Sequence, residues 1–384
     1  MKAYPPTAIT DAMLIATDVT EADYPEFEMG ATYGVGDRRM DTTGGEILTL
    51  DVAPATDWAA GDLLTGQTST KTCRAVAKLT SLTYQVRERT GAFTLGEVIG
   101  VTGEGAKLAD QGAAHPTITA AADKVHKIYE SLKAANTGNY PPDNLTAVDP
   151  DVPWWMEVEP TNRWKVFDEM VGSQTSKSAS MYYTLAPGMI DSLTLLKLDA
   201  TEVQVAMTDL TEGEVYSDTG DLISTANVID GYTYCFDPII RKTDEVFLNL
   251  PPYGSATITI TITNTGGTAK CGAIFVGMCR NLGTTLRSTS VGITSYSTKA
   301  VDVYGNYSLV PRANAKRGSY EVEIQDALID EIFRWLTEHC DTIVVWIGIV
   351  GKTSTYSCGF YKDWGIPIEG PLRSVCSIEI EGLT

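Results

Sequence analysis

The reactive side chains of this sequence are scattered, and few stand at spacings that chemistry uses. Gly100-Val101-Thr102-Gly103-Glu104-Gly105-Ala106-Lys107 has the glycine content of a phosphate-binding loop. There, however, the lysine falls one place late, and Leu108 replaces the hydroxyl that would hold magnesium, so a β-turn is expected. His339-Cys340-Asp341 collects three reactive types side by side. Consecutive residues at a helix end point in different directions and form no nucleophile–base pair, so a histidine beside the helix C-terminus is the ordinary account. His115 and His126 lie in polar contexts without ligand spacing, and the seven cysteines include no Cys-x-x-Cys pair. No metal and no cofactor is therefore expected. The cysteines are expected to be reduced and packed as small apolar groups, the alternative being disulfides formed after release from a reducing cytoplasm. Carboxylates are plentiful enough for a glycosidase-type acid pair, but no pattern marks one with a raised pKa. With no HExxH, EF-hand, nucleophile elbow or dinucleotide fingerprint, an enzyme is not expected.

The densest chemistry is aromatic. Trp154, Trp155, Trp164 and Phe167 fall close together with Asn162, Arg163 and Asp168. Two readings stand side by side. The rings can seal the start of a β-sandwich core. Alternatively, Trp154, Trp155, Asn162, Arg163, Trp164 and Asp168 can form a sugar platform, in which flat indole faces meet a pyranose and Arg163 lies over an indole. Adjacent tryptophans on a strand face both ways, so one of Trp154 and Trp155 must point inward, which favours burial.

The elements that must position these residues are mainly β. Ala256 to Thr263 alternates strictly, with Ile258, Ile260 and Ile262 on one face. Asn264-Thr265-Gly266-Gly267 reads as a turn before the apolar run Cys271–Met278, which predicts a hairpin. Ser192 to Leu198 and Glu202 to Thr208 read as a second strand pair, and Tyr320 to Gln325 alternates again. One helix is expected from Asp326 to His339, with Asp326 capping its first turn and Leu328, Ile332, Trp335 and Leu336 on its apolar stripe. The β-branched run Ile343–Val350 is too short to cross a membrane and reads as a buried strand. The start of the chain lacks the long apolar stretch of a signal peptide.

Among 384 residues, 29 basic side chains oppose 49 acidic ones, for a net charge of −20. That balance excludes nucleic acid, which demands clustered Lys and Arg, and an anionic membrane surface for the same reason. A hydrophobic share of 43% supports ordered domains, two or three at this length.

The motifs Ile128-Tyr129-Glu130-Ser131-Leu132 with Asn136-Thr137-Gly138-Asn139, and Trp154-Trp155 with Thr161-Asn162-Arg163-Trp164 and Phe167-Asp168, resemble virion structural proteins of tailed bacteriophages. Ala31-Thr32-Tyr33-Gly34-Val35-Gly36-Asp37 looks like the start of a small chitin-binding-type module whose second motif normally follows shortly. Here Tyr129 comes far downstream, so an inserted β domain is expected near 43–120. The segments Ser290–Lys299, Asp302–Tyr307 and Arg312–Arg317 are similar to a part of the same phage proteins that leads from a sandwich into a strand–helix unit.

The expected fold is mainly β: an antiparallel β-sandwich of jelly-roll or galactose-binding type, a small β-rich N-terminal region and an α+β C-terminal unit. Residues 1–140 are expected to hold an N-terminal arm and the interrupted module. The Pro-rich stretch 141–151 is a linker, 152–285 the sandwich, and 286–384 the C-terminal unit. The resemblance implies a tail component of the virion (tail tip, baseplate or fibre-attachment ring), assembled in the host cytoplasm. Its partners would be other copies of itself and neighbouring tail proteins, with Tyr4 to Glu28 reaching an adjacent subunit as an arm. The alternative is a receptor-recognition module that holds a host-surface glycan.

Overall fold

The computed structural model describes residues 1–42, 46–50, 57–66, 69–78, 83–87, 99–101, 117–121, 125–147, 152–224, 228–301, 304–367 and 372–383. Antiparallel β-structure dominates, and the chain forms two units, residues 1–20 with 162–384, and residues 21–161.

In the larger unit, alternation of side chains builds a sandwich. Strands Gly213–Asp221, Glu202–Asp209, Thr257–Cys271, Thr175–Leu185 and Leu14–Thr17 form one sheet in that order. Its Val203, Val205, Ile258, Ile260, Met181 and Tyr183 are buried in one core, while the intervening residues of Thr257–Cys271, such as Thr259 and Thr261, are only half-buried. Facing it is a three-stranded sheet of Glu245–Leu248, Ser192–Leu196 and Ala273–Gly277. Every residue of the last two strands is buried, because both faces are covered. Leu193, Leu195, Ile274 and Val276 join the sandwich core, whereas Leu196, Ala273 and Phe275 pack with Tyr4, Val345 and Ile347 of a third sheet.

That third sheet runs Arg280–Asn281, Lys2–Tyr4, Val344–Ile347, Tyr356–Gly365, Arg373–Gly382, Asn314–Gln325 and Thr284–Thr285, with Ser290–Ser295 also paired to Asn314–Gln325. The expected buried strand is present at Val344–Ile347, and period two divides its side chains between two cores. Val344 and Trp346 meet the helix Ile329–Glu338 through Trp335 and Leu336, and Val345 and Ile347 face the three-stranded sheet.

Several expectations are corrected. The first twenty residues are no arm to a neighbour: Lys2–Tyr4 pairs with Val344–Ile347, Tyr4 is fully buried with its hydroxyl 2.6 Å from Thr194 Oγ1, and Leu14–Thr17 pairs with Thr175–Leu185. The anticipated hairpin at Asn264–Gly267 is one continuous strand, Thr257–Cys271. Asn264 Nδ2 donates to the Thr268 and Asp199 carbonyls, which stabilises a bulge there, and the chain changes sheet at Gly272 instead. A Cβ at Gly272 would lie 2.9 Å from the Val171 carbonyl, so the crossing requires glycine. Ser192–Leu196 and Glu202–Asp209 are in different sheets and do not pair: the first is buried on both faces and the second on one. The helix is Ile329–Glu338, preceded by a 3₁₀ turn Asp326–Leu328, with no side-chain cap.

The smaller unit begins with Arg38–Asp41, Lys127–Ser131 and Trp155–Pro160 side by side in one sheet. Between the first two of these strands in sequence lies a six-stranded sheet with its own core, including Leu48, Trp58, Leu64 and Tyr84. The boundary with the larger unit falls at Thr161–Asn162, rather than in a 141–151 linker. Pro141–Asn144 is a 3₁₀ turn with Pro141 buried, and Tyr140 beside it donates 2.7 Å to Asp41, so this stretch packs instead of tethering. Residues 148–151 lie outside the described residues.

Candidate functional site

The aromatic cluster divides between the two units. In the smaller one, Trp155 sits at the start of Trp155–Pro160, fully buried. Its ring meets Tyr33 edge-on at 5.2 Å and Phe27 at 5.8 Å, and its Nε1 donates 2.8 Å to the Asn139 carbonyl. No face of this indole is open to a sugar. Trp154, just before the strand, is half-buried against the margin of the same core, with the Lys133 ammonium 4.7 Å from its ring centroid. The Asn-Thr-Gly-Asn motif serves the same fold. Asn136 is buried, its Nδ2 donates to Ser131 Oγ and its Oδ1 accepts from Asn139, so the loop presents its backbone to the Trp155 indole.

In the larger unit, Asn162-Arg163-Trp164 leads to the 3₁₀ turn Lys165–Phe167 at the edge of the sandwich. Asn162 imitates a strand: its Nδ2 donates 3.0 Å to the Ser176 carbonyl and its Oδ1 accepts 3.0 Å from the Ser176 amide. Arg163 Nε donates 2.8 Å to the Val19 carbonyl, and the Arg163 carbonyl accepts from the Tyr183 hydroxyl at 3.0 Å. Trp164 is buried and packs edge-on against Phe167 at 5.5 Å, which in turn packs on Tyr183. Asp168 closes the turn by accepting from the Met170 amide and the Ser173 hydroxyl. Burial raises its carboxyl above the usual range, and those two donors oppose the rise.

The six residues of the sugar platform are therefore placed as structural parts. Trp155 and Trp164 are core, Asn162, Arg163 and Asp168 satisfy backbone groups, and Trp154 alone keeps a partly open ring. The motif builds a corner, because a strand-to-turn junction leaves amides and carbonyls that only side chains can satisfy.

The remaining reactive groups are similarly engaged. His126 is buried with Nδ1 2.8 Å from Glu21, whose same oxygen accepts 2.6 Å from Thr161. His339 stacks on Trp335 at 4.6 Å and places Nδ1 2.8 Å from the Trp335 carbonyl. All seven cysteines are free thiols; burial pushes Cys271 and Cys358 far up and Cys376 up to about 11, away from the nucleophilic thiolate. The phosphate-loop look-alike lies outside the described residues beyond Val101, as does His115.

A cavity of about 200 Å³ lies in the larger unit, lined by Val171, Leu196, Asp244, Lys316, Tyr356 and Cys358. Lys316 there is saturated by Asp244 and by the Tyr356 carbonyl at 3.0 Å. Among the described residues, no group of three His, Cys, Asp or Glu could hold a metal ion, and no helix is long and apolar enough to cross a membrane.

Two surface segments expose apolar side chains, one of them within the stretches that resemble phage proteins and the other, 228–241, unmarked by any sequence motif. Residues 228–241, which include the helix Gly231–Phe236, are exposed throughout except for Thr233, and they carry Ile229, Tyr232, Tyr234, Phe236 and Ile239. The hairpin Thr298–Val301 with Tyr307–Val310 has no buried residue among its described residues, and its Tyr304, Tyr307 and Leu309 stand in solvent. Both segments carry short periodic runs, Tyr232, Tyr234 and Phe236 in one and Tyr307 and Leu309 in the other, and period alone does not tell an exposed apolar side chain from a buried one.

No protein-family model matches the chain, and no curated protein matches it.

Proposed function

We propose that this protein is a structural subunit of a tailed-bacteriophage virion, located in the tail and acting by assembly with other tail proteins and with copies of itself rather than by turnover. The observation that carries the reading is the exposed apolar surface on the two excursions, 228–241 and 296–310. Contiguous exposed aromatic and aliphatic side chains mark interaction surfaces in folded proteins. A helix of six residues with no buried side chain, and a two-stranded hairpin with none, are both marginal in water on their own. A protein that keeps both has something to place against them. The resemblance of the Thr161–Trp164 and Phe167–Asp168 motifs to phage virion proteins agrees, since here those motifs build a sandwich corner and open no groove.

Mass spectrometry of density-purified phage particles from the source of this sequence tests the reading. The chain is expected among the particle proteins at several copies per tail. Its absence from purified particles overturns the proposal.

A further inference from the structure

The two excursions carry opposite charge. Between Asp209 and Arg241 the sequence contains no Lys or Arg, but has Glu212, Glu214, Asp218, Asp221, Asp230 and Asp237. None of these six carboxylates has a cationic partner among the described residues. This stretch includes the exposed Tyr232 and Phe236. The segment 286–317 is the reverse. Against the single Asp302 it has Arg287, Lys299, Arg312, Lys316 and Arg317. Lys316 is taken up by Asp244, whereas Lys299, Arg312 and Arg317 have no carboxylate partner among the described residues. Within the two excursions proper, 228–241 holds Asp230 and Asp237 with Arg241, which is paired to Asp199, and 296–312 holds Lys299 and Arg312 with Asp302.

We infer that the basic hairpin around 296–312 of one copy docks on the acidic aromatic excursion 228–241 of a second copy. This deepens the assembly reading above and rests on it. Three arguments fix the occupant. The charges are complementary, so each surface attracts the other and repels its own kind, which disfavours a hairpin-to-hairpin or patch-to-patch contact. Both surfaces are apolar at their tips, where Tyr304 and Tyr307 (87% and 83% exposed) on one side and Phe236 (71%) on the other supply the large, stiff rings that dominate interface energetics. Both also remain exposed within one chain, so the pairing is between chains. A contact between two different surfaces is heterologous: it closes a ring if the rotation per subunit divides a full turn, and otherwise propagates.

Sedimentation velocity of the full chain across a concentration series, at low and at high salt, tests this. Two variants are compared with the parent: K299E/R312E, which reverses the hairpin, and Y232S/F236S, which removes the rings of the patch. All four side chains are exposed, and far-UV circular dichroism checks that the fold is kept. The parent is expected to form species larger than a dimer, weakened by salt. Each variant alone is expected to stay monomeric at the same concentration. An equal mixture of the two is expected to give a dimer and nothing larger, since one intact hairpin and one intact patch remain. If both variants assemble as the parent does, or the mixture stays monomeric, the hairpin-to-patch contact is wrong while the assembly reading survives. If the parent is monomeric at every concentration, the hairpin-to-patch contact is overturned, and the assembly reading is decided separately by the proteins of the purified particle.

Discussion

The Lys316 ammonium lies 2.6 Å from the Asp244 carboxylate, and the two residues belong to different layers of the larger unit. Lys316 is on the strand Asn314–Gln325 of the third sheet, and Asp244 immediately precedes the strand Glu245–Leu248 of the sandwich. Asp244 is buried and also accepts from the Lys197 amide at 3.0 Å and the Thr243 hydroxyl at 3.1 Å. The pair ties the sandwich to the sheet that carries the basic hairpin.

Removing one partner leaves the other charge desolvated. Asp244→Ala is expected to destabilise the protein by about 3 kcal/mol, at the low end for a buried pair because Lys316 is partly exposed and can rehydrate. Urea unfolding of the variant measures this; a loss below about 1 kcal/mol would show that the pair is screened as a surface pair is.

The two adjacent tryptophans separate core from surface. Trp155→Ala is expected to cost about 3–5 kcal/mol, because the indole fills the smaller unit's core and its Nε1 holds the Asn139 carbonyl. Trp154→Ala is expected to cost less, about 1–2 kcal/mol, from its contact with Lys133 and the part of the ring packed on the core margin. Equal losses in thermal or denaturant unfolding would contradict this division.

Thiol accessibility follows burial. Alkylation of the native protein followed by mass spectrometry should label Cys235 and Cys340 rapidly, and Cys73, Cys271, Cys358 and Cys376 only after unfolding. Burial both shields these four and, at Cys271, Cys358 and Cys376, raises the pKa, so the reactive thiolate is scarce as well as hidden. Fast labelling of Cys358 would contradict the packing of the larger unit.

Asp168 gives a pH dependence of defined sign. Its folded pKa is raised above the unfolded value by burial, so the native state binds the proton more tightly. Its contribution to stability is therefore present below about pH 4, where both states are protonated, and is lost as pH rises through the raised value. Asp168→Asn removes the charge; its Oδ1 still accepts from Met170, and Ser173 can accept from the new amide. The variant's stability relative to the parent should rise between pH 4 and pH 7, as read from denaturation midpoints. A relative fall over that range would mean that the Met170 and Ser173 donors outweigh desolvation.

Much of the scaffold was legible in the sequence because burial on one or two faces leaves a period-two record. The isoleucines at 258, 260 and 262, one face of a half-buried strand by their alternation, are buried, and of the run Ile343–Val350 the part Val344–Ile347 is the buried strand while Val350 is exposed. Which strands pair was less legible: Ser192–Leu196 and Glu202–Asp209 are neighbours in sequence but lie in facing sheets, where they meet through the core and not through hydrogen bonds. Asn264-Thr265-Gly266-Gly267 has turn composition, yet the Asn264 side chain holds it as a bulge within a strand. In the candidate site, the inward turn of one tryptophan followed from strand geometry, whereas the backbone-satisfying roles of Asn162 and Asp168 depend on tertiary partners such as Ser176 that local pattern does not reveal.

A cryo-electron microscopy map of the assembled particle tests the central claim most directly. It should show the larger unit repeated around the tail axis, with 296–310 of each copy seated on 228–241 of the next and Tyr307 and Phe236 removed from solvent. A particle map that lacks this fold, or that leaves both excursions exposed to solvent in every copy, would contradict the account.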